Sequence, residues 1–418
     1  MGLRGFRRAV VASAVMVGVL IVPWSPAEAA TSGPTVIAVH RDGAVDVSGN
    51  STYGTVASMR VPAGNWSITA TATIQATTSV LDADCELVAG SEFNESRTDP
   101  ATAGAGSLGA MVILLAHHFA KAGTVTLKCA TYDWTGDVLI GDIHVTAVQV
   151  GKLTDDAGTF GSGSPSAVFG QDKTVRLFTD TAVHDLQDLT LPAGTWLVQA
   201  ATWGFGNSDG DRFDCSLASS SGTADQLAED FADGGRSLAL EGIVTLSSPD
   251  HVSIYCNDAE SFWHVRDSAI SALRVGTLKY GHFGSTAATT GNGSPTIVGA
   301  YSDDVGAVAA STSLHSIASV SLGSGSWFLT SKLSLFADAF AKTTCQLRLG
   351  GATDQGRVIL DGGTTSISWL GMSLTRKLSS SSNSSIACNQ SANTNDVLYL
   401  HDKIFAIKAG KLTDTVLD

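Results

Sequence analysis

Apolar and polar residues alternate one for one along much of the chain. From the first internal tryptophan, Trp66, Ile68, Ala70, Ala72 and Ile74 fall on one side, and Ser67, Thr69, Thr71, Thr73 and Gln75 on the other. Successive side chains of a strand point to opposite faces, so the pattern predicts a half-buried strand with a wet back. Trp327, Leu329, Leu333 and Leu335 repeat it, while Val125, Leu127 and Cys129, and likewise Val252, Ile254 and Cys256, each share a face. Beyond the N-terminal segment there is no sustained helical period with caps; Ala224–Phe231 has room for two turns at most. Many short alternating segments parted by Gly, Asn and Asp turns predict an all-β protein built from antiparallel β-sandwich, jelly-roll-like units.

The pattern occurs three times. Pro34-Thr35-Val36-Ile37, Pro165-Ser166-Ala167-Val168 and Pro295-Thr296-Ile297-Val298 open the copies. A Gly-containing turn then leads into Trp66, Trp196 and Trp327, which lie 130 and 131 residues apart. Cysteines follow after 19, 19 and 18 residues (Cys85, Cys215, Cys345) and again after 44, 41 and 43 (Cys129, Cys256, Cys388). Each copy closes on one phrase: Val150-Gly151-Lys152-Leu153, Val275-Gly276-Thr277-Leu278 and Ala409-Gly410-Lys411-Leu412. Four landmarks in register predict repeats at 31–154, 165–280 and 295–414. The segments 155–164 and 281–294 between them are rich in Gly, Ser and Thr and read as flexible linkers.

Six cysteines allow 15 pairings. Threefold repetition selects Cys85–Cys129, Cys215–Cys256 and Cys345–Cys388, since any cross-copy scheme breaks the repeat's own symmetry. Each bridge closes a loop worth about 4 kcal/mol on the chain-entropy model.

About 130 residues per unit, a Pro-x-Gly-x-aromatic turn into a long strand, and a late apolar-Gly-x-Leu strand resemble the jelly roll of the complement globular head and tumour-necrosis-factor group. The resemblance implies that the strand after the turn sits mid-sheet and that the cysteine strands are neighbours in the other sheet. It differs in lacking a collagen-like stalk and in carrying Trp at the turn. Domains of that group usually assemble as trimers, so three copies on one chain are able to imitate a trimer around a pseudo-threefold axis. The linker composition points instead to beads on a string.

Residues 1–29 read as a secretory signal peptide: Arg4, Arg7 and Arg8, an apolar run from Ala9 to Val22, then Ala27-Glu28-Ala29. Export supplies the oxidising compartment that disulfides need, so the expected location is secreted, extracellular. Removing the signal's net +2 takes the formal charge from −14 to −16. That balance argues against nucleic acid and anionic lipid partners. Charged residues make up 15%, below the usual quarter, so surface polarity falls to Ser, Thr, Asn and Gly. No later stretch reads as a membrane span.

Candidate chemistry is sparse. Gly206-Asn207-Ser208-Asp209-Gly210 matches G-x-S-x-G, but that motif needs a strand before it and a helix after it, and Asp211–Cys215 reads as strand. Asp209, Asp211 and Asp214 are a weak calcium candidate with no closing Glu. His117 and His118 are adjacent and so point to opposite faces of a strand. No cofactor is expected. Aromatic residues after the second cysteine, Tyr132, Trp134, Phe262 and Trp263, are candidates for stacking on a ligand at the loop end. The leading expectation is a secreted, non-catalytic recognition or assembly protein whose ligand is a glycan, a cell-envelope surface or a protein. A hydrolase using loops of repeat two, and a structural surface or particle component, are the alternatives.

Overall fold

A computed structural model describes residues 33–417 apart from the loop segments 48–51, 77–82, 99–107, 132–136, 207–210, 232–234, 259–262, 286–287, 309–310, 338–340, 361–365 and 392–396. The described residues form strands and no helix, and nothing among them is helical, long and apolar enough to cross a membrane.

Module one comprises β1 (Thr35–Arg41), β2 (Val45–Val47), β3 (Gly54–Val61), β4 (Gly64–Ala76), β5 (Ala83–Ala89), β6 (Glu92–Thr98), β7 (Leu108–Phe119), β8 (Gly123–Thr131) and β9 (Val138–Val150). The connection to module two carries β10 (Lys152–Asp155) and β11 (Gly158–Gly161). Module two has β12 (Ser166–Asp172), β13 (Arg176–Phe178), β14 (His184–Leu191), β15 (Gly194–Gly206), β16 (Asp211–Ser219), β17 (Gly222–Phe231), β18 (Gly235–Leu246), β19 (Asp250–Asp258) and β20 (Trp263–Arg274). A second connection carries β21 (Thr277–His282) and β22 (Ala288–Gly291). Module three has β23 (Thr296–Ser302), β24 (Gly306–Val308), β25 (Ser311–Leu322), β26 (Gly325–Ala337), β27 (Ala341–Leu349), β28 (Ala352–Leu360), β29 (Ser366–Leu378), β30 (Ser382–Ser391) and β31 (Val397–Ala409). The chain ends on β32 (Lys411–Val416).

Every module is a jelly roll of two facing sheets. In module one the large sheet runs β1-β9-β4-β7 and the small sheet β3-β8-β5-β6; the other modules repeat this order. The strand after the turn (β4, β15, β26) lies inside its sheet, and the cysteine strands are hydrogen-bonded neighbours. Cys85 faces Cys129, Cys215 faces Cys256 and Cys345 faces Cys388 in direct register, and all three pairs are bridged. Ala224–Phe231, with room for two helical turns, lies in strand β17: the strand pairs with β16 along its length, and Asp225 and Leu227 are buried two residues apart.

The recurring tryptophans have a local reason. Trp66 Nε1 donates to Pro62 O (3.1 Å), Trp196 to Pro192 O (3.0 Å) and Trp327 to Gly323 O (2.8 Å). The indole fills the core and clasps the turn that precedes it, which Phe has no donor to do. Within that turn Gly64, Gly194 and Gly325 take φ of 141°, 144° and 129°, where a side chain would be strained.

The modules close on one another. The strand after each closing phrase leaves its own module and pairs in parallel with the first strand of the next: β10 with β12, and β21 with β23. After module three, β32 pairs in parallel with β1 from Thr35–Lys411 to His40–Val416. The result is a ring of three with a cyclic set of seams. The segments read as flexible linkers are hydrogen-bonded hairpins, β10–β11 and β21–β22. Glycines in them serve close approach: a Cβ on Gly161 would lie 2.3 Å from the Gly151 carbonyl oxygen, and one on Gly291 2.3 Å from the Gly276 carbonyl oxygen. Deleting residues 411–418 is expected to lower the melting temperature and to leave β1 as an open edge, raising self-association in sedimentation above that of the undeleted chain. Unchanged stability with no added self-association would show that β32 holds nothing together.

Candidate functional site

The face predicted as a wet back is where the ring is made. Thr69, Thr71 and Thr73 are buried, because the outer face of each large sheet packs on neighbouring modules. Val112, Leu114, Val148 and Val150 of module one belong to one apolar cluster with modules two and three. Around the middle, Thr69, Gln199 and Thr330, each the third residue after a module's tryptophan, join through Glu241. Thr69 donates to Gln199 (3.4 Å), Gln199 to Glu241 (3.0 Å), and Thr330 to the same Glu241 oxygen. Burial pushes the Glu241 carboxyl up to about 7.

At each seam the edge strand of one small sheet (β6, β17 or β28) lies on the next module's large sheet. One slot recurs there with different chemistry. Ten, nine and nine residues beyond the first cysteine stand Asp225, Asn94 and Asp354. Asp225, on the seam from module two to three, lies 2.5 Å from Lys332 Nζ and 2.6 Å from Lys403 Nζ. All three are buried, and Lys403 also donates to Ala224 O. Burial alone would raise Asp225; the two ammonium groups outweigh it and hold the carboxyl below its ordinary range. Burial lowers Lys332 to about 8, partly offset by Asp225.

Asp354, on the seam from three to one, lies 2.7 Å from His144 Nε2. Thr71 and Ser373 hydroxyls meet there at 3.2 Å, and Asp414 of β32 accepts from Thr375 (2.6 Å) and sits 3.0 Å from His40 Nδ1. On the seam from one to two the slot is neutral: Asn94 donates to Leu114 O of its own module. Contact there passes to Arg266 with Glu95 (2.6 Å) and to the Ser67–Ser271 hydroxyl pair (3.0 Å).

A bulge sets the last element. In each module the register of the closing strand slips once, and the extra residue takes a positive φ: Asp142 (47°), Asp267 (53°) and His401 (53°). Such bulges re-aim side chains, and here they turn one polar group per module toward its seam. Asp267 accepts from the Trp203 indole (3.2 Å), and burial with the Glu95 charge pushes it up to about 8.

The residues singled out from the sequence fall as follows. Trp263 is a core residue: it is 0% exposed, stacks on Phe178 and donates to Asp180 O (3.2 Å), so it offers no face to a ligand. Tyr132, Trp134 and Phe262 lie outside the described residues, as do Ser208 and Asp209. The segment holding Ser208 joins strand β15 to strand β16, so no helix follows it. Asp211 opens β16, and Asp214 lines a cleft between modules two and three. His118 sits 2.6 Å from Asn65 and stacks on Phe160, fastening hairpin β10–β11, while His117 packs against Phe119. No cluster of three metal-ligating side chains occurs among the described residues. Sequence reading missed Asp225, Lys332, Lys403, His144 and Asp354. A signal for Lys332 was present: it stands where the other copies carry Thr71 and Ala201, mid-strand in an otherwise apolar and hydroxyl run.

Sheet order and seams define an all-β protein of three jelly-roll modules closed into one ring. No protein-family profile and no curated protein matches the chain. Among solved structures it is similar to one described as the triple jelly roll fold and turret assembly of an archaeal virus (10% identity, 90% of this chain and 92% of that one, TM-score 0.18). It is also similar to the VP2 subviral particle of infectious bursal disease virus (7%, 91% and 82%, 0.21). A third is a tandem CBM22 domain of Paenibacillus barcinonensis Xyn10C (11%, 56% and 92%, 0.16). Likenesses this slight carry no argument about function.

Removing one partner from a buried charge cluster leaves the others unpaired, whereas replacing the whole cluster by apolar groups is often neutral. Asp225→Ala is therefore expected to cost about 3–5 kcal/mol in denaturant unfolding. The triple change Asp225→Leu, Lys332→Met, Lys403→Met should recover most of it. Equal loss in both would show that the cluster is not the determinant.

The three-to-one seam gives a pH dependence. The bond to Asp414 raises His40 above the ordinary histidine value, with Asp42 and Asp354 adding to it and burial opposing. Burial and the Asp354 charge push Asp142 up to about 6, against Arg357 and His144. A raised folded value contributes stability below the unfolded value and loses it as pH rises through the folded one. Burial opposes but His40 and Thr375 outweigh it and hold Asp414 below the ordinary carboxylate range, so its contribution is lost as pH falls through that lowered value, outside this window. Amides of β1 and β32, corrected for intrinsic exchange, should be better protected at pH 5 than at pH 8, and His40→Gln should flatten the difference. Equal protection at both pH values would refute this.

Proposed function

We propose that the chain is an exported, non-catalytic structural component of an outer surface or particle, with the closed ring as its unit of assembly. The observation that carries this reading is the closure itself. Asp225, Lys332, Lys403, His144 and Asp354 are all spent on holding modules together, and the four landmark motifs serve turns, bridges and seams. The resemblance read from the sequence to the complement-head and tumour-necrosis-factor group fits it, since those domains usually assemble as trimers.

Edges supply the means of further assembly. In each small sheet the strand opposite the seam (β3, β14, β25) pairs on one side only among the described residues. Open edges accept strands from other chains unless charge or Pro blunts them. β3 carries Arg60 and β14 carries Asp185 and Asp188, whereas the twelve residues of β25 hold no Lys, Arg, Asp or Glu. Light scattering of the chain lacking residues 1–29 should show mass growing with concentration without added ligand, and Ser313→Lys with Ser319→Lys should suppress it. A strict monomer at every concentration would overturn the reading. Recognition of a ligand stands second, and the observation favouring it is the cleft between modules two and three.

A further inference from the structure

The three seams share a groove beside the slot, and the groove has diverged. At the seam from one to two it holds about 170 Å³, narrowed by hairpin β10–β11 with Phe160 and His118. At the seam from three to one its positions are taken by His40, Asp414 and His144, drawn together by the contacts given above. At the seam from two to three the same groove widens to a chamber of about 370 Å³, the second of a pair whose first is an adjoining cleft of about 470 Å³. Gln226 and His401 line both chambers, so they form one trough.

Its chemistry is specific. The first chamber sets the rings of Tyr255 and Phe336 beside the Asn257 amide. The second is lined by Tyr280 and Tyr301, stacked at 4.8 Å. Asp214 lines the first chamber; in the second, Asp303 lies 3.3 Å from His401, and Asp225 is held by two lysines. Ser334, 2% exposed, lines the first chamber, and its hydroxyl has no hydrogen-bond partner among the described residues. Buried polar groups rarely go unmatched without a reason. A trough of ring faces with amide, hydroxyl and carboxylate groups between them, whose one described lysine, Lys403, is held by Asp225, suits a ligand with apolar C–H faces and a fringe of neutral hydroxyls. Its volume is in the range of small-molecule sites.

We propose that this trough binds a short, neutral oligosaccharide. The site is independent of the assembly reading, since occupancy of one seam leaves the edge strands untouched.

The test is an array of neutral and acidic oligosaccharides probed with the whole chain lacking residues 1–29, followed by calorimetric titration of the strongest neutral binder. Phe336→Ala and Asn257→Ala should each weaken that binder about tenfold or more, the worth of one stacked ring or hydrogen bond. Their melting temperatures should stay near that of the parent. Asn257 is a half-buried strand residue, so it keeps the test sound if Phe336→Ala loosens the seam. His118→Ala, at the equivalent groove one seam away, should leave affinity unchanged. Absence of any saturable neutral binder, binding confined to acidic sugars, or affinity indifferent to both trough variants would each overturn the proposal.

Discussion

A single backbone hydrogen bond, made three times, organises this molecule. The glycine amide of each closing phrase donates to the carbonyl of the proline that opens a copy: Gly151 to Pro165 (2.8 Å), Gly276 to Pro295 (3.0 Å) and Gly410 to Pro34 (2.8 Å). In the first two cases chain continuity brings the partners together. In the third they are 376 positions apart and the same bond forms without it, because two seams already built fix where the third must fall. From that bond the parallel pairing of β32 with β1 follows residue by residue, and with it the closure of every interface.

Closure within one chain changes what the interfaces have to satisfy. A trimer of identical chains needs one surface that fits itself around an axis, and any change appears in all three seams. Here each seam evolves alone. That freedom explains why one position carries Asn94, Asp225 and Asp354, facing no charge, two lysines and a histidine respectively. Charged groups buried in pairs contribute little net stability, yet a wrong pairing is costly: the Asp225 strand set against the sheet that bears Asp142 and Asp354's neighbour His144 would forfeit both ammonium partners. The seam chemistry thus fixes the order in which three otherwise similar modules dock.

The fold was legible in the sequence because the signals that specify it are local or repeated. Period-two alternation marks the strands, the tryptophan turn marks β4, β15 and β26, and repetition alone selects the disulfides. The seams were not legible, because alternation reports that a face is polar without saying what it meets. Thr69, Thr71 and Thr73 look the same whether they face solvent or the hydroxyls and amides of another module. Gly-Ser composition was equally ambiguous: at Gly161 and Gly291 it reflects backbone passing close to backbone, where a Cβ does not fit, and not freedom of movement. One clue to the ring was in plain view. The phrase Gly410-Lys411-Leu412 repeats a motif whose other two instances serve the copy that follows, and the third instance serves β1.

The bulge residues show how such a ring gains specificity at one place. Asp142, Asp267 and His401 occupy the same backbone position, each in a left-handed conformation that Asp and His tolerate better than most side chains. Each is aimed at its seam by the same slip of register. Asp267 ties a tryptophan indole, Asp142 lies in the charge field of Asp354, and His401 borders both chambers of the open trough. Two seams that close tightly are enough to hold three modules in place. The third is then free to part its walls beside the Asp225 cluster without loss of the ring, and that is where the trough is found.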